Sequence, residues 1–289
     1  MEAFFLDVDG GRRFCLFHPA ACPAGAAKRG QVVYLHPFAE EMNKSRRMAA
    51  LQSRALVAAG FDVLQIDLLG CGDSSGDFGD ATWDAWVNDV VLGCKWVRER
   101  HAASITARSP LDHPPLWLWG LRAGCLLASQ AAQKLEEPCN FLFWAPTPSG
   151  KPLLQQFLRL KVVGDMLGGQ SKGVMDTMRT QLASGTPMEV AGYMLVPALT
   201  SGLESANLSP VASIQGVQRV EWFEVSTRED ATLSPVSAKT VSQWQASGFQ
   251  VASQIVNGPA FWQTTEIEDA PALLDATIAA IRQMAGAMA

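Results

Sequence analysis

Between residues 32 and 144, short apolar runs alternate with longer amphipathic stretches, and this alternation restricts the fold more than any other feature. Residues 32–35, 62–66, 115–119 and 140–144 have the length and the β-branched or aromatic content of buried strands. Residues 43–59 carry apolar positions at Met48, Leu51, Ala55 and Ala58 and stop at Gly60, which predicts a helix. Thr82 caps a second helix reaching about Arg100, and residues 123–135 form a third. Strands interleaved with helices are joined by crossovers, so the sheet is expected to be mainly parallel with helices on both faces.

Residues 4–8 and 13–17 flank Asp9-Gly10-Gly11 and predict an opening hairpin. The alternation lapses between Thr147 and about Pro210, a Leu-, Met- and Gln-rich stretch expected to form helices broken by Gly164, Gly168-Gly169, Pro187 and Pro197. It resumes with a strand at 220–225, a helix near 235–246 and a strand near 249–256. A closing helix follows, with Leu274, Ile278, Ile281 and Ala285 on one stripe. The expected architecture is therefore α/β, with about eight strands. Residues 1–146 and 211–289 form its core, and 147–210 a helical cap. Ligands in such sheets lie at the carboxyl ends of the strands, which directs attention to the loops after Leu35, Ile66, Trp119, Trp144, Val225 and Ile255.

Hydrophobic residues make up 48% of the 289 and charged residues 18%, enough apolar material for a large core. A net charge of -5 provides no basic stripe, so no nucleic-acid partner is expected. No apolar run approaches a membrane span, and Glu2 stands where a signal peptide needs positive charge, so a cytoplasmic location is expected. The six cysteines form no C-x-x-C pair and have no histidine at zinc-ligand spacing, so they read as reduced core thiols, with no metal or cofactor.

Three of the strand-end loops carry distinctive strings. Leu35-His36-Pro37-Phe38 follows one strand and Asp67-Leu68-Leu69-Gly70-Cys71-Gly72-Asp73-Ser74 the next. Gly120-Leu121-Arg122-Ala123-Gly124 joins a strand to a helix. In order and spacing they resemble the α/β-hydrolases over nearly the whole chain. The first matches an oxyanion-hole loop, the second a D-x-x-G-x-G-x-S turn, and the third the two-glycine frame of the G-x-S-x-G nucleophile elbow. The resemblance implies the α/β-hydrolase fold. Longer strings, His36-Pro37-Phe38-Ala39-Glu40-Glu41-Met42-Asn43-Lys44-Ser45-Arg46-Arg47-Met48 and Asn257-Gly258-Pro259-Ala260-Phe261-Trp262-Gln263, resemble the exosortase A system-associated "hydrolase 2" proteins. That resemblance implies a setting beside bacterial exopolysaccharide and protein-sorting genes.

In the resembled fold a serine at the elbow is followed in the chain by an acid and then a histidine. Here Arg122 holds the serine's place. All four histidines, His18, His36, His101 and His113, precede it, and the loop expected to carry the histidine reads Gly258-Pro259-Ala260-Phe261-Trp262. Asp230, beside Glu229, is the candidate acid. Arginine stays protonated in proteins and is neither nucleophile nor base, but its planar fork of donors suits carboxylate or phosphate. The elbow aims it where the N–H groups of Phe38 and Ala123 and a helix N-terminus converge, and such a place favours anions.

Each of these residues has a structural reading beside the functional one. Arg122 is either paired with Asp230, Glu229, Glu40 or Glu41, or contacts an anionic ligand. The two combine if a ligand displaces the partner. Glu40-Glu41 and Arg46-Arg47 read as the solvated start of a helix, with the alternative that one Glu borders the pocket and meets Arg122. His36 reads as an ordered loop histidine rather than a base. Cys125 and Cys71 read as core residues, and Ser74 and Ser75 as turn residues. Methionines 166, 175, 178, 188 and 194 read as cap packing, with an acyl-chain lining as the alternative. Trp262 and Trp144, at strand ends, are expected to face the pocket. The expected function is a degenerate hydrolase site binding an anionic or acyl small molecule, free or carrier-linked. The alternative is a non-serine hydrolase or acyl-transfer enzyme acting on an ester, thioester or amide.

Overall fold

The computed structural model describes residues 1–23, 27–104, 114–167, 174–211 and 218–283. The chain opens with the antiparallel hairpin β1 (Glu2–Val8) and β2 (Gly11–His18), turned at Asp9-Gly10. Five further strands and their helices follow in alternation. The strands are β3 (Gly30–Leu35), β4 (Phe61–Ile66), β5 (Leu116–Leu121), β6 (Cys139–Trp144) and, after the cap, β9 (Arg219–Ser226); β10 (Gln250–Asn257) closes the sheet. The order is β1-β2-β4-β3-β5-β6-β9-β10, parallel from β4 to β10 and antiparallel only at the hairpin end. The eight-stranded, mainly parallel sheet expected from the alternation is the one observed.

Helices α1 (Glu40–Ala58) and α8 (Pro271–Gln283) cover one face, while α2 (Trp83–Ser104), α3 (Ala123–Lys134) and α7 (Pro235–Ala246) cover the other. β5 is buried at every position, as a central strand between two helical layers must be. Trp117, Trp119, Leu142, Trp144 and Phe223 pack under α1 and α8; Leu118, Phe141, Phe143 and Trp222 pack with Trp244 of α7. The edge-to-face contact of Trp119 and Trp144, 4.8 Å between centroids, is worth about 0.5–1.5 kcal/mol beyond its area.

Several boundaries differ from expectation. α1 begins at Glu40, three residues early, because Ala39 at φ 50° turns the chain sharply and two carboxylates favour a helix N-terminus. The buried line of α8 is Leu273-Thr277-Ile281, with Leu274 and Ile278 at its flank. Thr277 belongs there because its hydroxyl accepts the Trp144 indole N–H at 3.0 Å. Ala285 lies outside the described residues.

Between β6 and β9 the chain forms α4 (Gly150–Leu167), α5 (Val174–Ala183), the hairpin β7 (Met188–Val190) and β8 (Tyr193–Leu195), and α6 (Pro197–Ser205). α4 runs through Gly164 instead of breaking there. Burial of Leu153, Leu154, Phe157 and Leu158 outweighs a glycine cost of about 1 kcal/mol. Gly168-Gly169 lie outside the described residues. The hairpin turns at Ala191 and Gly192, both at positive φ, as a tight two-residue turn requires. Phe157 and Tyr193 dock this segment on the sheet's carboxyl end through edge-to-face contacts with Phe38 and Phe78.

Candidate functional site

Arg122 forms the sharp turn between β5 and α3. Its backbone sits at φ 56°, ψ -114°, its N–H donates to Trp144 O at 3.0 Å, and its carbonyl accepts from Cys125 N at 3.0 Å. The flanking glycines allow this. A Cβ on Gly124 would stand 2.1 Å from Leu35 O, and one on Gly120 2.5 Å from Cys125 N. Ala39 and Ala145 also adopt positive φ at the ends of neighbouring strand-end turns. Three non-glycine residues in this region, each costing about 1–3 kcal/mol, mark the sheet's carboxyl end as strained, as functional sites often are.

The Arg122 side chain is 14% exposed and reaches into a polar cluster. Nη2 donates to Gln156 Oε1 at 2.9 Å and to Glu41 Oε1 at 3.3 Å; Nη1 donates to Thr147 Oγ1 at 3.3 Å. Its guanidinium carbon lies 5.6 Å from the centroid of the Trp262 ring, a cation–π contact. Gln263 donates to the same Glu41 oxygen at 3.4 Å. Burial pushes the Glu41 carboxyl up, while the Arg122 charge and the hydrogen bonds from Arg122 and Gln263 pull it down. Arg122 Nε, Glu41 Oε2 and Trp262 Nε1 are buried without a hydrogen-bond partner. The N–H groups of Phe38 and Ala123 likewise have no protein acceptor among the described residues. A helix N-terminus and a guanidinium thus converge, and both favour an anion.

Beside this cluster lies a cavity of about 250 Å³ lined by Phe38, Glu40, Glu41, Lys44, Leu153, Gln156, Phe157, Leu160 and Gln263. Its apolar wall is one face of α4, with Leu153, Phe157 and Leu160 at helical spacing and Gln156 among them. Thr147, Gln156 and Gln263 were not foreseen from sequence. The i, i+3, i+4, i+7 arrangement of Leu153, Gln156, Phe157 and Leu160 is the signal that could have exposed the α4 wall.

The carboxylate on Arg122 is Glu41, whereas Arg46 and Arg47 pair with Asp67 and Asp269. Asp230, the candidate acid, is 80% exposed at its side chain and pairs with Arg228 at 3.2 Å. With no histidine in the opposite loop, nothing draws it inward. His36 is buried; its Nδ1 lies 2.8 Å from Pro37 O and its Nε2 accepts from Leu68 N at 3.4 Å. Burial lowers its pKa, and it serves to join two strand-end loops. His18 pairs with Val63 near the opposite end of the sheet, His101 lies in the last turn of α2, and His113 is outside the described residues.

Trp144, expected at the pocket, is instead in the core, bonded to Thr277. Of the cap methionines, Met178 and Met188 are core, Met194 is exposed, and Met166 has a side chain outside the described residues. Among the described residues, the cavity lining holds none of these methionines. Cys125 points its thiol at the carbonyls of Gly120 and Trp144, and burial raises its pKa and that of Cys71. Ser74 and Ser75 bond backbone groups, tying the glycine loop to β2. Among the described residues no group of three His, Cys, Asp or Glu is placed to hold a metal ion, and no helix is long and apolar enough to cross a membrane.

No family model matches the chain. A 149-residue stretch, 46% of the chain, is 29% identical to human protein ABHD12B and spans 37% of that protein's length. Solved structures agree over almost the full length. Ferulic acid-bound Est1E from Butyrivibrio proteoclasticus superposes with a TM-score of 0.63 at 13% identity, covering 98% of both chains. A thermostable carboxyl esterase from Bacillus coagulans, with glycerol, gives 0.63 at 14% identity over 99% of this chain and 98% of its own. Mouse alpha/beta hydrolase domain-containing protein 10 gives 0.54 at 14% identity over 100% of both. The chain has the α/β-hydrolase fold.

Proposed function

We propose that this α/β-hydrolase-fold protein binds an anionic, acyl-bearing small molecule, free or carrier-linked, at its elbow and does not perform serine-hydrolase chemistry. The observation that carries this reading is Arg122 at the nucleophile's position, inside a half-satisfied polar cluster that adjoins an apolar cavity. No nucleophile–base pair stands at the elbow among the described residues. Trp262 occupies the loop where the resembled fold places its histidine, and its ring contacts the arginine. The likeness of residues 36–48 and 257–263 to the exosortase A-associated "hydrolase 2" proteins supports a cytoplasmic role beside an exopolysaccharide system. A fluorophosphonate serine probe is expected to leave the intact mass unchanged, and stoichiometric labelling overturns the reading.

The free N–H groups of Phe38 and Ala123 favour a second reading, a non-serine acyl-transfer or hydrolytic enzyme. In it these N–H groups and Arg122 stabilise an oxyanion, and a carboxylate, Glu41 or Asp230, activates water. A p-nitrophenyl ester assay separates the two: turnover lost on Arg122→Ala supports the enzyme, and no turnover supports the binding protein.

A further inference from the structure

Glu41 holds Arg122 loosely. The Nη2–Oε1 distance of 3.3 Å and the Gln263 bond of 3.4 Å to the same oxygen exceed the roughly 2.7–2.9 Å usual for charge-assisted pairs. The neutral Gln156 lies closer to Nη2, at 2.9 Å. A well-made arginine–carboxylate pair uses two parallel bonds, as where Arg47 reaches Asp269 from Nε and from Nη2, each at 2.8 Å. At Arg122 only the Nη2 half is made, and Arg122 Nε and Glu41 Oε2 are left buried without partners. Glu41 lines the cavity and Arg122 is bonded to two of its lining residues, Glu41 and Gln156, so the two orphaned atoms of opposite charge describe a site beside the cavity that a different carboxylate fills better.

The geometry points to a medium-chain carboxylic acid as the ligand: its carboxylate takes Nε and Nη2 of Arg122 in exchange for Glu41, and its chain lies along Leu153, Phe157 and Leu160. This rests on the reading that the cavity binds an acyl anion. The cavity's volume of about 250 Å³ gives the scale of the chain. At about 30 Å³ per water-sized group it holds roughly eight, an acid on the scale of octanoate. A carboxylate suits the place better than a phosphate, because it replaces a carboxylate and adds no second charge beside Glu40.

The exchange changes what surrounds Glu41. Among the described residues the charged groups around it are Arg122, in the turn before α3, and its own neighbours on α1, Glu40 and Lys44. α4 and the loop after β10 bring only the neutral Gln156 and Gln263. Once Arg122 is taken by the ligand, burial and the Glu40 charge act on Glu41 without their main opponent, and it takes up a proton. Binding is therefore stronger at lower pH, as long as the ligand, with an ordinary carboxyl pKa of about 4–5, stays ionised. One proton taken up per ligand tightens binding by at most about tenfold per pH unit.

The test is calorimetric titration of octanoate into the full chain at about pH 6 and pH 8, in buffers of different ionisation heat. The unaltered protein is expected to take up close to one proton and to bind about 10- to 100-fold tighter at the lower pH. Glu41→Gln is expected to bind tighter than the unaltered protein at the higher pH and to lose the pH dependence. The double variant Glu41→Gln/Arg122→Gln, which leaves no lone buried charge, is expected to lose binding. Equal binding by the unaltered protein and Glu41→Gln without proton uptake overturns the exchange and leaves the acyl-binding reading standing. No binding by either overturns both.

Discussion

Replacing Arg122 with methionine removes the guanidinium but fills most of its volume, so the main consequence falls on Glu41. That carboxylate is 13% exposed at its side chain, and without Arg122 it keeps only the 3.4 Å bond from Gln263. A buried carboxylate in that position binds a proton rather than remain charged. Its folded pKa then lies above its unfolded value of about 4.3, so the folded state binds more protons between the two and stability falls as pH rises through that window. The slope is about 1.4 kcal/mol per pH unit, which limits the penalty at pH 7 to about 4 kcal/mol. Because burial already raises Glu41 in the unaltered protein, the expected difference is nearer 2–3 kcal/mol. Urea unfolding followed by tryptophan fluorescence gives the comparison. Arg122→Met is expected to fall short by that amount near pH 7.5 and by about 1 kcal/mol or less near pH 5, and Glu41→Gln added to it is expected to recover most of the loss at high pH. A deficit of the same size at both pH values, or no recovery in the double variant, refutes the reasoning that an unpaired Glu41 charge is what Arg122 offsets.

Other outcomes follow from the same structure. Glu221 on β9 is 6% exposed and burial pushes its carboxyl up to about 7 against the pull of Arg219; Glu221→Gln is therefore expected to add about 3 kcal/mol of stability near pH 8 and about 1 kcal/mol or less near pH 5, measured by urea titration. Gly124→Ala, which drives a Cβ to within 2.1 Å of Leu35 O, is expected to cost about 3 kcal/mol or to prevent folding, and a melting temperature within a degree or two of the parent counts against the tight elbow. Titration of native thiols with a disulfide reagent is expected to find one fast cysteine of six, Cys22, because the other five are buried.

The alternation of short apolar runs with amphipathic helices reported the central sheet well, because a strand buried on both faces leaves a continuous apolar run that few other structures produce. The elbow was legible for a similar reason: its two glycines face backbone atoms too closely for any side chain. Elements of the cap were less legible. β7 and β8 have three residues each, too few for a period to show, and α4 continues through Gly164 because packing outweighs propensity.

At the site, Arg122 announced that it needed an acid, and Glu41 was one of four within the sequence's means. Choosing among them required knowing that α1 starts at Glu40, which places Glu41 in its first turn beside the elbow. Gln156, Gln263 and Thr147 stayed invisible because neutral polar residues carry no charge pattern. Asp230 was named from the order of a triad whose histidine is missing, and in the structure it pairs outward with Arg228.

A crystal structure of the protein grown with octanoate tests most directly whether the elbow is an anion site rather than a degenerate or hidden nucleophile. A carboxylate is expected about 3 Å from both Nε and Nη2 of Arg122, with Glu41 released from Nη2 and the chain against Leu153, Phe157 and Leu160. An intact Arg122–Glu41 pair beside an empty cavity, or an acyl group covalently attached at the elbow, contradicts it.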